Sequence, residues 1–157
     1  MNTRMGLWRG AGGLVFAATV WGAGALSAQQ PQTQQEEHHW TVSFQGAGEW
    51  EDVTATSDVH WATGAASFTA SVRVSDDESE AVRPWHVHQG TCAQGGEVVG
   101  GGAHYPALNM DSGGSAEGVA TVPTALDPAA QYHVNVHRSP REMSTIVACG
   151  DLVRQSD

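Results

Sequence analysis

Two histidines separated by one residue are the first sign of chemistry in this 157-residue chain. They are His86 and His88, in the segment Trp-His-Val-His-Gln-Gly-Thr-Cys that ends at Cys92. Side chains of a β-strand alternate between its two faces, so both imidazoles would lie on one face and Val87 on the other. Two imidazoles on one rigid strand can serve as two ligands of a metal ion, while the valine packs into a core.

Two further histidines occur downstream in settings that suit the same site. His104 lies in a Gly-Gly-Ala-His-Tyr-Pro segment, and His137 ends a Val-Asn-Val-His segment. Neutral imidazole suits copper and zinc, and four nitrogen ligands in a tetragonal arrangement favour Cu(II). The sequence contains no His-Glu-x-x-His pattern of a zinc protease, no Gly-x-Ser-x-Gly elbow and no phosphate-binding loop.

Residues near the last of these histidines are candidates to support the site. On a regular strand, His133 and Asn135 share a face with His137, so His133 is expected to orient a ligand or to replace one. Each histidine taken singly is also explained as an exposed or hydrogen-bonded residue. It is their joint occurrence beside a cysteine-anchored loop that favours a metal site.

The first 28 residues have the pattern of a secretory signal peptide. Arg4 and Arg9 precede an uncharged run of Gly, Ala, Val and Leu, and cleavage after Ala25 or Ala28 fits equally well. An uncleaved anchor is the alternative, disfavoured because the run is short and poor in Leu and Ile. We therefore expect a periplasmic or extracellular protein without stable membrane association after cleavage.

An acidic, Gln-rich stretch follows at residues 29–39, and its composition predicts a disordered linker. His38 and His39 at its end could bind a metal loosely, but a solvated tail is the favoured interpretation. His60, further along the chain, is interpreted as structural. The remaining residues, 40–157, are expected to form one domain with a single core.

The two cysteines support both the export prediction and an ordered loop. Export makes a disulfide between Cys92 and Cys149 the default expectation. It would close a loop of 57 residues, which the chain-entropy treatment values at about 4 kcal/mol. It would also pin the long Gly-rich segment 89–114, which contains His104. A loop of this length inside a small domain is typically functional or disordered.

The charge of the chain excludes some partners. Without the first 28 residues, five basic side chains stand against 17 acidic ones, a net charge of −12, and the sequence contains no lysine. An acidic chain is repelled by phosphate backbones and by anionic lipid. We therefore expect no nucleic-acid or membrane partner.

Short alternating segments rich in Val, Thr and Ser predict an all-β fold. They are separated by turn signals such as Thr-Gly, and no stretch shows a helical period of useful length. Many short strands with Gly-rich and Pro-rich turns are typical of a β-sandwich or barrel. The predicted strands span residues 40–44, 53–62, 65–74, 82–88, 116–122, 131–137 and 145–153.

Taken in order, these motifs resemble the signatures of the copper/zinc superoxide dismutase family. The likeness is carried by His-Val-His, Gly-Gly-Ala-His-Tyr-Pro, Val-His and the terminal Ala-Cys-Gly, and it covers residues 82–152 well. It implies a Greek-key β-sandwich or barrel with one long disulfide-anchored metal loop. A smaller branch of the same fold, the chordin-type domain and its exported bacterial relatives, is the other candidate. The residues that the resemblance implies are four copper ligands, His86, His88, His104 and His137, and a disulfide between Cys92 and Cys149.

The chain departs from the family pattern around zinc. In the family, two more histidines and an aspartate that bind zinc follow the histidine at the position of His104. Here the next histidine is His133, and Asp111 is the only nearby acid. The segment from His88 to Cys92 is also shorter than is usual. We therefore expect one copper ion per chain and no zinc site.

A second departure concerns the arginine that guides superoxide to copper in the family. Counted back from Cys149, its position is occupied by Ile146. Arg138 and Arg141, which follow His137 closely, are the candidate replacements.

The resemblance leaves three functions open. The leading one is superoxide dismutation at a mononuclear copper, giving oxygen and hydrogen peroxide. The second is a non-catalytic copper buffer or carrier that exchanges copper with a donor or acceptor, and the missing guide arginine favours it. The third is a structural domain of the chordin type, against which the four matched ligands argue.

Overall fold

Antiparallel strands make up almost all the regular structure of the chain, seen in a computed structural model that describes residues 35–156. The predicted all-β fold is confirmed, whereas the predicted signal peptide lies outside the described residues. Two single-turn 3-10 helices, Gly48–Trp50 and Gly102–His104, accompany the strands. The strands are β1 (Glu37–Gln45), β2 (Thr54–Ala62), β3 (Phe68–Ser75), β4 (Val82–Arg83), β5 (Trp85–Gln89), β6 (Leu108–Asn109), β7 (Ala116–Val122), β8 (Tyr132–His137), β9 (Ile146–Asp151) and β10 (Val153–Arg154).

The larger sheet has five strands in the order β10-β1-β2-β3-β7, all antiparallel. Its strands alternate as the sequence predicts. On β2 the inward, buried positions are Ala55, Ser57, Val59 and Trp61, and the residues that alternate with them face outward. This sheet therefore covers the core with one face and presents a polar face to solvent.

A second sheet of three strands, in the order β5-β8-β9, faces the same core. Every residue of β8 is buried, because Val134 and Val136 pack inward while the opposite face is covered by loops. β4 pairs with β6 in a small two-stranded sheet. The single predicted strand 82–88 is divided at Pro84, which has no N–H to donate to a ladder.

The two larger sheets are linked by backbone contacts at one edge and by segments of the chain that cross from one sheet to the other. Gly46, after β1, forms a bridge with Ala148 of β9, and the Ala47 N–H donates to the Val147 carbonyl at 3.2 Å. The chain leaves the larger sheet after β3, returns to pair β7 with β3, and crosses again to β8. The completely buried hydrophobic residues at the centre of the core are Val59, Ala70, Val74, Trp85, Val87, Val122, Val134, Val136 and Val147.

The first strand begins earlier than its predicted start at residue 40, so Glu37–His39 belong to the sheet and not to a linker. His38 is buried, its ring lies 4.8 Å from the Trp61 ring, and its Nε2 is 3.0 Å from the Thr63 hydroxyl. This packing against the end of β2 extends the pairing beyond the predicted strand. Within the predicted loop 89–114, Leu108–Asn109 forms β6, which was also not predicted.

A buried ion pair connects the turn after β3 to the segment that follows β8. Arg83 donates to both carboxylate oxygens of Asp77, at 2.7 and 2.8 Å, and to the Arg138 carbonyl at 2.6 Å. The Arg83 and Asp77 side chains are only 5% and 1% exposed. Arg83 thereby fixes the backbone immediately after His137.

Loss of this arginine should destabilise the fold strongly. Arg83→Ala would leave a buried carboxylate and a carbonyl without their donor, and we expect it to lower the free energy of unfolding by about 3–5 kcal/mol. The matched control is Arg73→Ala, because Arg73 pairs with Glu117 at 2.7 Å on the exposed face and should contribute about 0–1 kcal/mol. Urea denaturation of the two variants measures the difference, and equal losses would contradict the assigned role of Arg83.

Candidate metal centre

Three of the four predicted ligands meet on the loop-covered face of the three-stranded sheet. His86, His88 and His137 each offer one ring nitrogen, and these nitrogens lie within 4.8 Å of one another. The three residues are buried, with 4–8% of their surface exposed. A buried group of three imidazoles can hold a metal ion.

Strand alternation brings these side chains to one face. On β5, Trp85 and Val87 pack into the core, so His86 and His88 lie on the opposite face. On β8, His137 follows the buried Val136 and lies on that same polar face.

A β-bulge adjusts the last position. Val136 pairs with Ala148 and His137 pairs with Ile146, so Val147 of β9 is the extra residue between them. A bulge bends its strand and redirects neighbouring side chains, and it is located here beside the histidine group.

Backbone carbonyls orient two of the rings. The Nδ1–H of His88 donates to the Gly96 carbonyl at 2.9 Å, and the Nδ1–H of His137 donates to the Met143 carbonyl at 2.6 Å. A carbonyl oxygen can only accept, so in both rings Nδ1 holds the proton and Nε2 is an unprotonated acceptor. The His86 Nδ1 lies 3.0 Å from the His137 Nε2 and donates its proton to it.

These contacts indicate which nitrogens would face a metal ion. The Nε2 of His88 is buried and has no hydrogen-bond partner among the described residues. A buried lone pair without a partner is costly, and a metal ion would relieve that cost. The ion would also replace the proton between His86 Nδ1 and His137 Nε2. The residues present therefore fit a metal that prefers imidazole, bound by His86 Nδ1, His88 Nε2 and His137 Nε2.

The loop after β5 can cover this face only because of its glycines. A Cβ on Gly96 would lie 1.7 Å from the Gln89 carbonyl oxygen, so only glycine allows the backbone approach that brings its carbonyl to His88. A Cβ on Gly102 would lie 3.0 Å from His86 Nε2, so the loop backbone lies directly against that ring.

Further contacts fasten the same loop. Val99 donates its N–H to the Val87 carbonyl at 2.9 Å and accepts a hydrogen bond from the Tyr105 hydroxyl at 2.9 Å. The Tyr105 ring packs edge-on against His86, with 5.3 Å between ring centroids. The loop thus closes the metal centre with both backbone and aromatic contacts.

The predicted disulfide between Cys92 and Cys149 is confirmed and joins the start of this loop to β9. The Cys92 N–H also donates to the Asp151 carboxylate at 2.6 Å. Cys149 is the cross-strand partner of Asn135 on β8, so the covalent link lies on the histidine-bearing sheet.

His104 lies outside the three-histidine group. It ends the 3-10 helix Gly102–His104 and is exposed. The next residue, Tyr105, turns inward to pack against His86 and Trp85, so the preceding side chain is left at the surface. The ligand set that the structure brings together therefore has three nitrogens, and His104 is not among them.

His133 lies beside His88 and outside the three-histidine group. Its ring stacks on that of His88 at 5.1 Å, and its Nδ1–H donates to the Gly90 carbonyl at 3.0 Å. Asn135 is the cross-strand partner of His86. The His133 Nε2 and the Asn135 Oδ1 are buried without partners among residues 35–156.

The two candidate guide arginines differ in their contacts. The Arg138 Nε is 3.4 Å from the Glu142 carboxylate, and its guanidinium lies 5.8 Å from the centre of the Trp50 ring. Arg141 is exposed and has no ion pair within the described part of the chain. Asp111, the first acid after His104 in the sequence, accepts hydrogen bonds from the N–H groups of Gly113 and Ser115 and so caps a turn.

Burial keeps the three imidazoles neutral near pH 7. Desolvation lowers the pKa of His86 to about 4, with additional repulsion from His137 and His88. Desolvation is also the main reason why the pKa values of His88 and His137 are lowered. Neutral imidazole is the form that binds metal, so the centre needs little deprotonation to accept an ion.

Several residues that build the centre have no clear signal in the sequence. Gly96 and Met143 act through their backbone carbonyls, and every residue type has such a carbonyl, so the sequence does not reveal this role. Arg83 gave a weak signal, as a single charge just before the buried strand that begins at Trp85.

Comparison of the chain with models of known protein families and with curated proteins found no match. Among residues 35–156, the structure has no helix long and apolar enough to span a membrane.

The lowered pKa values predict how the stability of the metal-free protein depends on pH. Below about pH 6.5 the unfolded chain protonates these histidines, whereas the folded chain resists protonation. Because the unfolded state binds more protons, the free energy of unfolding should fall as pH decreases from 7 to 5. Urea denaturation of the chelator-treated protein measures this slope. His86→Gln should reduce it and the exposed control His104→Gln should not; equal slopes in all three proteins would contradict the prediction.

Proposed function

We propose that this chain is an exported copper protein with a superoxide dismutase-like fold, and that it dismutates superoxide at one copper ion. The observation that carries the proposal is the convergence of three buried imidazole nitrogens on one face of a sheet. The proposed ligands are His86, His88 and His137. Three protein ligands leave a coordination position open for a small substrate.

The order of the strands supports the family assignment. In a Greek key, a long connection returns the chain to lie beside an earlier strand. Here β7 returns to pair with β3 after β4, β5 and β6 have been placed elsewhere. The disulfide from the loop to β9 has the position that the resemblance implies. Disulfides persist mainly in oxidising compartments, which supports export.

The chemistry of the ligand set is compatible with copper. All three donors are neutral nitrogens, and no carboxylate or thiolate joins the group within residues 35–156. Imidazole binds both copper and zinc; closed structural zinc sites normally have four protein ligands, whereas catalytic zinc sites can have three histidines and an open position. The choice of copper over zinc therefore rests on the resemblance to the dismutase family.

His86, His88 and His137 would hold the copper ion, which when bound would supply the one-electron redox chemistry by which two superoxide ions and two protons give oxygen and hydrogen peroxide. The protein holds the nitrogens of His88 and His137 in place through the carbonyls of Gly96 and Met143. The loop that contains Gly102 and Tyr105 excludes water from the His86 side of the centre.

Local attraction of the anion is assigned to Arg141. The Arg141 guanidinium is exposed. The Arg138 guanidinium lies near Trp50 and near the Glu142 carboxylate, whose negative charge offsets its attraction for an anion. Without the first 28 residues the net charge is −12 and opposes superoxide at long range, so a local cation matters more than the average field.

Superoxide decay after pulse radiolysis tests the proposal. The copper-loaded protein should accelerate decay above the free-copper background, and His86→Ala should abolish the acceleration because it removes a ligand. His104→Ala should retain activity, because the three remaining nitrogens hold the ion. Loss of activity in this variant would mean that His104 is a fourth ligand, as the resemblance implies. Arg141→Ala should slow decay more than Arg138→Ala. No acceleration by a protein that holds one copper ion would refute the catalytic proposal.

A copper buffer or carrier is the second candidate, and two observations favour it. His104 is exposed instead of completing a four-nitrogen set, and Arg138 is engaged by Glu142. A three-nitrogen site suits reversible transfer of copper to an acceptor. Copper bound with one-to-one stoichiometry, inactive toward superoxide and released to a competing chelator, would support this candidate.

A further inference from the structure

A second group of metal-ligating side chains lies on the solvent face of the five-stranded sheet. It consists of His39 on β1 with Asp58 and His60 on β2, and we call it the outer cluster. None of its residues belongs to the three-histidine centre, which lies on the other large sheet. The outer cluster is therefore separate from the proposed copper centre.

Strand pairing fixes the outer cluster. His39 and His60 are direct cross-strand partners in the antiparallel β1–β2 pair. Facing residues of such a pair have Cβ atoms about 4.5–5.5 Å apart. Asp58 precedes His60 by two residues, so it lies on the same face. The pairing of β1 with β2 runs without a break from Glu37 to Gln45, which holds this arrangement in place.

The side chains already converge on one carboxylate. The His39 Nε2 contacts the Asp58 Oδ2, and the His60 Nδ1 lies 3.3 Å from the Asp58 Oδ1. Each carboxylate oxygen thus faces a different imidazole nitrogen. The His39, His60 and Asp58 side chains are 50%, 54% and 38% exposed. Small rotamer changes are therefore open to them, and water can reach the space between them.

We propose that the outer cluster binds one divalent transition-metal ion of the class that prefers imidazole, such as Zn²⁺. Two imidazole nitrogens and one carboxylate oxygen are donors that suit this class. The ion would replace the protons that now lie between the rings and the carboxylate. Water would fill the remaining coordination positions, which makes this site open and exchangeable, unlike the buried centre.

The position of the cluster gives metal binding a structural consequence. His39 is near the start of the described chain, and the two histidines belong to neighbouring strands. An ion shared by them would join β1 to β2 beside the first residues of the sheet. Binding to the folded form alone raises stability by mass action, so zinc should raise the melting temperature through this site.

The test is a Zn²⁺ titration of the full chain in which His88→Ala disables the buried centre. This variant should bind one equivalent of zinc and melt at a higher temperature with zinc than without it. Adding His60→Ala or Asp58→Asn should weaken that binding by about tenfold or more, since loss of a direct ligand costs at least as much as loss of a supporting contact. Circular dichroism checks that each variant is folded.

The matched control is Glu117→Gln. Glu117 is an exposed acid on the same sheet, but its carboxylate pairs with Arg73 and not with a histidine. In the His88→Ala background this change should leave zinc binding and the melting shift intact. An equal loss with Glu117→Gln would mean that zinc responds only to general surface charge, and would overturn the outer cluster.

The two metal proposals fail in different ways. If the His88→Ala variant binds no zinc while the unaltered chain binds one ion, the outer cluster is refuted and the buried centre stands. If zinc binding in the His88→Ala variant survives both His60→Ala and Asp58→Asn, the outer cluster is likewise refuted. If the unaltered chain binds one equivalent that His60→Ala removes and His88→Ala does not, the outer cluster stands and the buried centre does not take zinc; the copper proposal then depends on its own test with the copper-loaded protein.

Discussion

Two hydrogen bonds from histidine rings to loop carbonyls are the constraint on which the candidate centre depends. They fix the Nε2 atoms of His88 and His137 toward the same point, and both acceptors belong to loops. A strand alone sets the side of the sheet on which a histidine lies, but not which ring nitrogen faces a ligand. The loops therefore have to be as well fixed as the strands, and most of the unusual contacts of the fold serve that purpose.

Each of the two loops has its own anchor. The loop that supplies the Gly96 carbonyl is held by the disulfide and by Tyr105. The segment that supplies the Met143 carbonyl begins at Arg138, whose own carbonyl is held by the buried Arg83–Asp77 pair. The disulfide and the Arg83–Asp77 pair act through these loops, whereas Tyr105 also packs against the His86 ring. Both anchors determine whether the imidazoles keep their orientation when the ion is absent.

The sequence predicted the parts of this arrangement that repeat along a strand. Alternation placed His86 and His88 on one face, and it placed β7 at residues 116–122 as observed. It did not place His104, because the conformation of a Gly-rich loop depends on which neighbouring side chain turns inward, and here that side chain is Tyr105. The early start of β1 was missed for a similar reason. His38 is polar in a polar context, and its place in the strand follows from contacts that the sequence does not show: its pairing with β2, its packing on Trp61 and its contact with Thr63.

The acidic surface of the chain affects the two functions proposed for the buried centre differently, because one acts on an anion and the other on a cation. Three neutral imidazoles do not compensate the charge of a copper ion, so the centre would be locally positive within a chain whose net charge is −10. At physiological ionic strength charges are screened over about 8 Å, so an approaching anion meets the acidic surface first and the centre last. A copper cation is instead attracted by the acidic surface and then reaches the neutral nitrogens of the centre. The long-range field therefore favours delivery of the metal, and catalysis on an anion would depend on Arg141, because Glu142 already engages Arg138.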